Sequence, residues 1–515
     1  SALWRHARLR RVEVLAEKLG LFGDAEVLVK EALGDKAKDR ELMFLLARVL
    51  RGAQDWSGVE SVLDRLIQSA QPAEAAGLWV ERGRMALALR DGPRVANCFK
   101  KAAQLCLEAP GAFGTVASFA ADMPPDDVIH LVKDVLFHAP AGRPEATGPM
   151  HLLAAQLMTR QDHGPAAEGE VRLALEQMPG SADAWILLAS TTRDHDEAYR
   201  ALQQALRLDP FRRDIFQGLV ERGRKSPRLG EIRQRAAQVL TAFGSYDAAV
   251  QADRPPAGDR RLQRAEVVTW VVHPAEPRRA LELLASAGFK IGTLFTQPRF
   301  GVLEPLPQTN EVGRQLDLVA RMFGVEQYDA YYSKEPSVTA AMWLDERPSV
   351  IVGPSIAAAP QPLLRFHLGR IFALLASGSA IAALLPPTET RRLVEALAGQ
   401  TIVNIGEPDH VQRVGRALGW MARRAVAQPG RDYAAAPEDM SGWQEAARLT
   451  SNRGGLLACA DFSAARTVLH SMAGVPLPSP GSPETWEASR SVPDLGDLLD
   501  YAVSQEYASA RSRIA

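Results

Sequence analysis

Val95-Ala-Asn-Cys-Phe-Lys-Lys-Ala102 places a β-branched residue, a bulky ring and a small residue at i, i+4 and i+7, one face of a helix. The same order of small or branched, bulky, then small or apolar residues recurs at Ala25-Val29-Ala32, Val59-Leu63-Leu66, Val128-Val132-Val135, Ala167-Val171-Ala174 and Ala198-Leu202-Ala205. The starts lie 34, 36, 33, 39 and 31 residues apart. Pro140, Pro179 and Pro210 each follow an anchor by twelve positions, where a proline stops a helix. Upstream helices supply Trp79 with Gly83 and Trp185 with Ala189, a bulky residue followed by a small one where two helices must approach closely. Paired helices repeated at this period cannot bury their faces singly and must stack.

This period and pattern resemble the tetratricopeptide repeat (TPR), whose repeat is about 34 residues. The resemblance implies a helical solenoid over residues 1–250, closed by one or two less regular helices after Phe211. The anchor residues are then packing residues, and binding falls to the first helices that line the concave face. Candidates there are Arg48, Arg51, Glu81, Arg82, Arg84 and Arg90. Arg5, Arg8, Arg10 and Arg11 read as the polar side of an opening helix with Leu9, Val12 and Leu15 on its apolar side. Asp253-Arg-Pro-Pro-Ala-Gly-Asp259 has no periodicity and marks a linker over 251–262.

The 515 residues exceed one ordinary core, in keeping with two domains. With 60 basic and 61 acidic residues the net charge is -1, so no basic excess points to nucleic acid. Cys98, Cys106 and Cys459 lack zinc-site spacing and are too few for a disulfide framework, which fits a reducing compartment. Ile371 to Leu385 is apolar but shorter than the roughly 20 residues of a membrane span and reads as a buried helix, so no membrane insertion is expected. No signal peptide is visible, and the cytoplasm is the expected compartment; because the chain begins at Ser1, an upstream segment stays open.

Residues 263–515 read as an α+β domain, and the chain as mostly α overall. Val267–Val272 and Phe289–Phe295 look strand-like, Pro277–Ala287 and Glu311–Phe323 helical, and Tyr328–Tyr332, Ser337–Leu344 and Ser349–Val352 extended. Leu316 to Val325, Tyr328 to Tyr332, Ala340 to Trp343, Pro348 to Gly353 and Pro362 to Phe372 follow one another in an order that resembles the M48-type zinc metallopeptidases, which carry His-Glu-x-x-His on a central helix. That resemblance implies a zinc helix at Pro362–Phe372, and a strand edge at Ser349, Val350, Ile351, Val352 and Gly353 along which an extended peptide would lie. It also implies that Phe366 stands at the first zinc ligand, His367 at the catalytic glutamate and Arg370 at the second ligand. Arg448 and Asn452 then fall at the third ligand and its acidic support.

Phenylalanine offers no lone pair, and arginine repels a cation. The motif is degenerate, and no metal, cofactor or catalysis is expected. Arg370 and Arg448 would instead pair with carboxylates such as Glu445 and hold the cleft closed. A relocated site would need His367 with distant Glu304, Glu389 or His410. Gly20-Leu-Phe-Gly23 and Gly111-Ala-Phe-Gly114 do not follow strands and are not phosphate loops, and Cys459 reads as core. The tail over Pro476–Pro493 reads as an extended excursion, and Leu495–Ile514 as a helix docked through Leu498, Leu499, Tyr501, Ala502 and Tyr507. Together with Leu449 to Ala465, this tail resembles the C-terminal region of large myxobacterial TPR proteins. The expected function is a non-catalytic scaffold or adaptor that binds a protein or peptide. The alternatives are a metal-dependent peptidase with relocated ligands and a structural subunit of a larger assembly.

Overall fold

The computed structural model describes residues 10–34, 39–245, 260–296, 298–479, 481 and 484–514. It divides into two compact units, Ser1–Ala201 and Leu202–Ala515.

The first unit is an array of paired helices. After Phe22–Leu33 come Arg40–Gly52 with Trp56–Ser69, Pro72–Ala88 with Gly92–Cys106, Phe113–Ala120 with Pro125–Phe137, and Pro144–Arg160 with Gly164–Gln177. Ala182–Thr191 follows, and His195–Leu208 runs across the boundary between the units. Side-chain caps start many of these helices: Asp39, Asp55, Asp91 and Ser181 each accept from the amide three residues on. The turn before the second helix repeats as well, with Gln54, Arg90 and Asp162 at φ of 60°, 58° and 60°. All the anchor residues are buried except Ala32, which is half-buried. Gly83 is small for a reason: a Cβ there would strike the ring of Phe119. Val12 is buried on the opening helix, whereas Arg10 and Arg11 are exposed; Arg5, Arg8 and Leu9 lie outside the described residues.

The boundary between the compact units lies at Ala201, before the position 250 expected for the end of the solenoid. Helices Arg213–Lys225 and Gly230–Ala242 belong to the second unit because their apolar faces are covered by the chain's C-terminal segment. Trp486 stacks on Phe243 with ring centroids 3.9 Å apart and lies 5.5 Å from Phe216. Arg466 donates to the Ala242 carbonyl at 2.7 Å. Most of the expected linker, including Asp253–Asp259, lies outside the described residues.

The second unit holds a four-stranded mixed sheet, β1 (Leu303–Pro305), β2 (Asp329–Ser333), β3 (Ala340–Leu344) and β4 (Pro348–Val352), in the order β1-β2-β4-β3. β2 and β4 are parallel, with Tyr331 opposite Ile351, and β3 is antiparallel to β4, with Met342 opposite Val350. Two expected strands are helical. Arg264–Trp270 is an α-helix set by a capping box between Gln263 and Glu266, with Val267 and Val271 buried one turn apart, so helical spacing overrides β-branched propensity. Phe289–Leu294 is a 3-10 helix that buries Ile291 and Gly292.

Beneath the sheet the helix Gln361–Ser377 crosses Trp443–Cys459 at close range. A Cβ on Gly369 would stand 2.5 Å from the Ala458 Cβ, one on Gly455 would stand 2.9 Å from the Phe366 ring, and one on Gly454 would collide with Ala373. The apolar run from Ile371 is split by Gly378, at φ 97°, into this helix and Ala380–Leu384. Among the described residues no helix is long and apolar enough to cross a membrane. The tail docks as expected, with Leu498, Leu499, Tyr501, Ala502 and Tyr507 all buried, although the excursion before it contains the short helix Thr485–Ser489.

Candidate functional site

Each unit carries a concave site that contains residues expected to be functional. In the first unit a cavity of about 900 Å³ lies against the first helices Arg40–Gly52 and Pro72–Ala88. Phe44 is 44% exposed there, although it is a large apolar residue. Around it stand Arg48, Arg51 and Glu81, three of the residues expected on this face, together with Arg40, Glu41 and Glu74. Arg51 pairs with Glu81 at 2.8 Å, Arg48 with Glu13 at 3.7 Å, and Arg40 with Glu74. The floor, formed by Leu45 and Leu78, is buried.

Arg82, Arg84 and Arg90 do not line this cavity. Arg82 lies near the Trp79 ring, 5.2 Å from its centroid, and bonds Asp64 of a second helix at 2.5 Å. Arg84 reaches Ser118 and Asp122 of the next pair at 3.1 and 3.4 Å. Arg90 sits in the left-handed turn that closes its helix.

In the second unit a cavity of about 690 Å³ lies between β3, the helix Gln361–Ser377 and the helix Trp443–Cys459. His367, Arg370, Arg448 and Ser451 line it, with Ala340, Ala341 and Met342 of β3 and an apolar wall that includes Ile371 and Leu374. Phe366 does not reach it; its ring is fully buried against Gly455. Asn452 is also buried and donates to Asp494 at 2.7 Å. Glu304, Glu389 and His410 do not line the cavity, and among the described residues no group of three His, Cys, Asp or Glu side chains is placed to hold a metal ion.

The two arginines differ. Arg448 pairs with Asp494 and, at 3.8 Å, with Glu445. Arg370 does not pair with a carboxylate among the described residues; its guanidinium donates to the Ser451 hydroxyl at 3.3 Å and the Met472 sulfur at 3.0 Å. The expectation that both arginines bridge to carboxylates and shut the cleft is therefore corrected: one does, and the cleft is open. Burial, and then the neighbouring Arg448, push Arg370 down to about 10, so it remains a cation at neutral pH. Burial and then Arg370 push His367 down to about 4, which leaves a neutral ring.

The expected edge at Ser349–Gly353 is corrected too. β4 pairs on both sides, with β2 and β3, and Val350, Ile351 and Val352 are fully buried. β3 is the outer strand beside the cavity.

Beneath the cavity lies a polar network with no local signature in the sequence. Glu276 is buried and accepts from Ser379 at 2.6 Å, from the Trp443 indole at 2.8 Å and from Thr450. Asp497 accepts a two-pronged bond from Arg453 at 2.9 and 2.5 Å. These carboxylates come from a loop and from the C-terminal tail, and they lock the helix that carries Arg448.

The chain has likenesses among the solved structures. One likeness is to the yeast Tom70 crystal structure. It holds at 17% identity over 45% of this chain and 56% of that chain, little more than half its length, with a TM-score of 0.25. At that score it carries no argument about fold or function, which rest on the geometry above. No protein-family model and no curated protein matches the chain.

Proposed function

We propose that this chain is a non-catalytic protein-interaction scaffold, with the first-helix face of its TPR-like array as the principal binding surface and the cleft of the second unit as another. The observation that carries this reading is Phe44. A half-exposed aromatic ring in a concave groove, above the apolar floor of Leu45 and Leu78 and within a rim of both charges, offers an anchor site for an apolar side chain of a partner helix. The rim arginines and glutamates are already paired with one another, so the groove selects by shape and by its apolar anchor more than by net charge.

The non-catalytic half of the proposal rests on side-chain chemistry. Phe366 and Arg370 cannot ligate zinc, and in the register that the metallopeptidase resemblance implies His367 falls where hydrolysis would need a carboxylate to activate water. Replacing Phe44 with a photo-crosslinking phenylalanine analogue, in the full chain in its source cell, tests the binding half. One discrete partner protein should be captured, and capture should vanish when Leu78→Asp is added. No adduct, or adducts indifferent to Leu78→Asp, would reject the groove. One zinc per purified chain, lost in His367→Ala, would reject the non-catalytic half.

A further inference from the structure

We infer that the cleft of the second unit captures the free C-terminal carboxylate of an extended peptide, held by Arg370 with Arg448 and aligned along β3. This deepens the second docking surface proposed above, and it rests on three observations.

The first is charge. Around the cleft the carboxylates of Asp494 and Glu445 both answer to Arg448, which leaves the guanidinium of Arg370, among the described residues, with a hydroxyl and a thioether. A desolvated cation beside a second cation is an unfavourable arrangement that one arriving negative charge would relieve. The two arginines and the two carboxylates sum to zero, so what a ligand can match is the one guanidinium without a carboxylate partner, which suits a singly charged carboxylate better than a doubly charged phosphate. The guanidinium also presents paired N–H donors in the geometry of a carboxylate. His367, the nearest other titratable ring, is held neutral and adds no competing charge.

The second is the backbone. β3 is paired on one side only, with β4, and its Ala340–Met342 portion lines the cavity. An unpaired strand edge offers amides and carbonyls to an extended chain of any sequence. The far end of β3 is covered: the 3-10 helix Phe289–Leu294 packs so closely that a Cβ on Gly292 would strike the Leu344 carbonyl. An added strand therefore has room for only a few residues. A chain end fits there, and a loop passing through does not.

The third is the wall. Ile371 and Leu374 face the same space, so the residue bearing the carboxylate would carry an apolar side chain.

The test uses the immobilised full chain and a pool of random octapeptides, prepared once with free carboxyl termini and once amidated. The free-acid pool should be retained about tenfold more than the amidated one, as expected for loss of a charge-assisted hydrogen-bond pair, and should be enriched for apolar last residues. Arg370→Gln should abolish that difference. Ala383→Trp, which narrows the cavity without removing a charge, should do the same and keeps the test decisive if the arginine variant misfolds. The readout is the acid-over-amide difference and not capture at Phe44, so failure here and failure of the first-unit groove are distinguishable. Equal retention of acid and amide, an acid preference that survives Arg370→Gln and Ala383→Trp, or displacement of both pools by inorganic phosphate with no acid preference would each overturn the inference.

Discussion

The indole nitrogen of Trp443 donates to the carboxylate of Glu276 at 2.8 Å, in a pocket where both residues are at most 2% exposed. Ser379 and Thr450 donate to the same carboxylate, so one acidic side chain joins the loop before Arg278–Ala287 to the Trp443–Cys459 helix and to the segment after Gly378. That helix carries Arg448 and Ser451, and its seating sets the cleft.

Glu276→Ala should therefore cost about 3 kcal/mol or more, because it strands several buried donors at once. Glu276→Gln, which keeps an acceptor oxygen, should cost less. Urea denaturation of both variants, followed by near-UV circular dichroism, measures the order; equal losses would mean that the network contributes only packing.

Gly454→Ala provides a test of sign. Helix propensity alone predicts a gain of about 1 kcal/mol for alanine over glycine within a helix. The crossing with Gln361–Ser377 leaves no room, since a Cβ would collide with Ala373, so a net loss of about 2 kcal/mol or more is expected. A variant that melts higher than the parent would show that the two helices are not so closely opposed.

The boundary between the units can be cut. A fragment spanning 202–515 should unfold in one cooperative transition, because it keeps Phe216 and Phe243 against Trp486. A fragment starting at 263 exposes Trp486 and the surface around Arg466 and should aggregate or melt well below it. Within the full chain, Trp486→Ala should cost about 3 kcal/mol by the same reasoning.

His367 makes stability depend on pH, and the sign follows from linkage. Its folded pKa, about 4, lies below the ordinary 6.5, so between those values the unfolded chain binds a proton that the native ring refuses. Its contribution is absent above pH 6.5 and becomes increasingly destabilising down to pH 4, by about 1 to 3 kcal/mol after allowance for the ring's partial exposure. His367→Gln should flatten that part of the stability profile, measured by urea titration at pH 7 and pH 5. An unchanged slope would place the ring in contact with solvent.

The array was legible because its signal is local. An anchor such as Val95-Phe99-Ala102 is buried through its own helical spacing, and the period carries that pattern from pair to pair. Charge paired across space left no such mark. Arg48, Arg51 and Glu81 could be assigned to the first-helix face, but a residue six positions after Arg84 could not be told from a helical one until Arg90 took up its left-handed turn. The strand-like runs at Val267 and Phe289 became helical because a capping box and close packing outweighed β propensity.

The sequence by itself determined the repeat register and the positions of the central helix and of Phe366, His367 and Arg370 on it, since each depends on residue type and short-range spacing. Tertiary structure alone decided that β3, not β4, is the outer strand beside the cleft, that the helices Arg213–Lys225 and Gly230–Ala242 belong with the C-terminal unit, and that Arg448 is paired with a carboxylate while Arg370, among the described residues, is not. Strand order and ion pairing join segments far apart in the chain: Asn452 meets Asp494 across 42 residues and Thr450 meets Glu276 across 174. Which distant carboxylate reaches which arginine is a property of the folded chain, where desolvation makes each unmatched charge count.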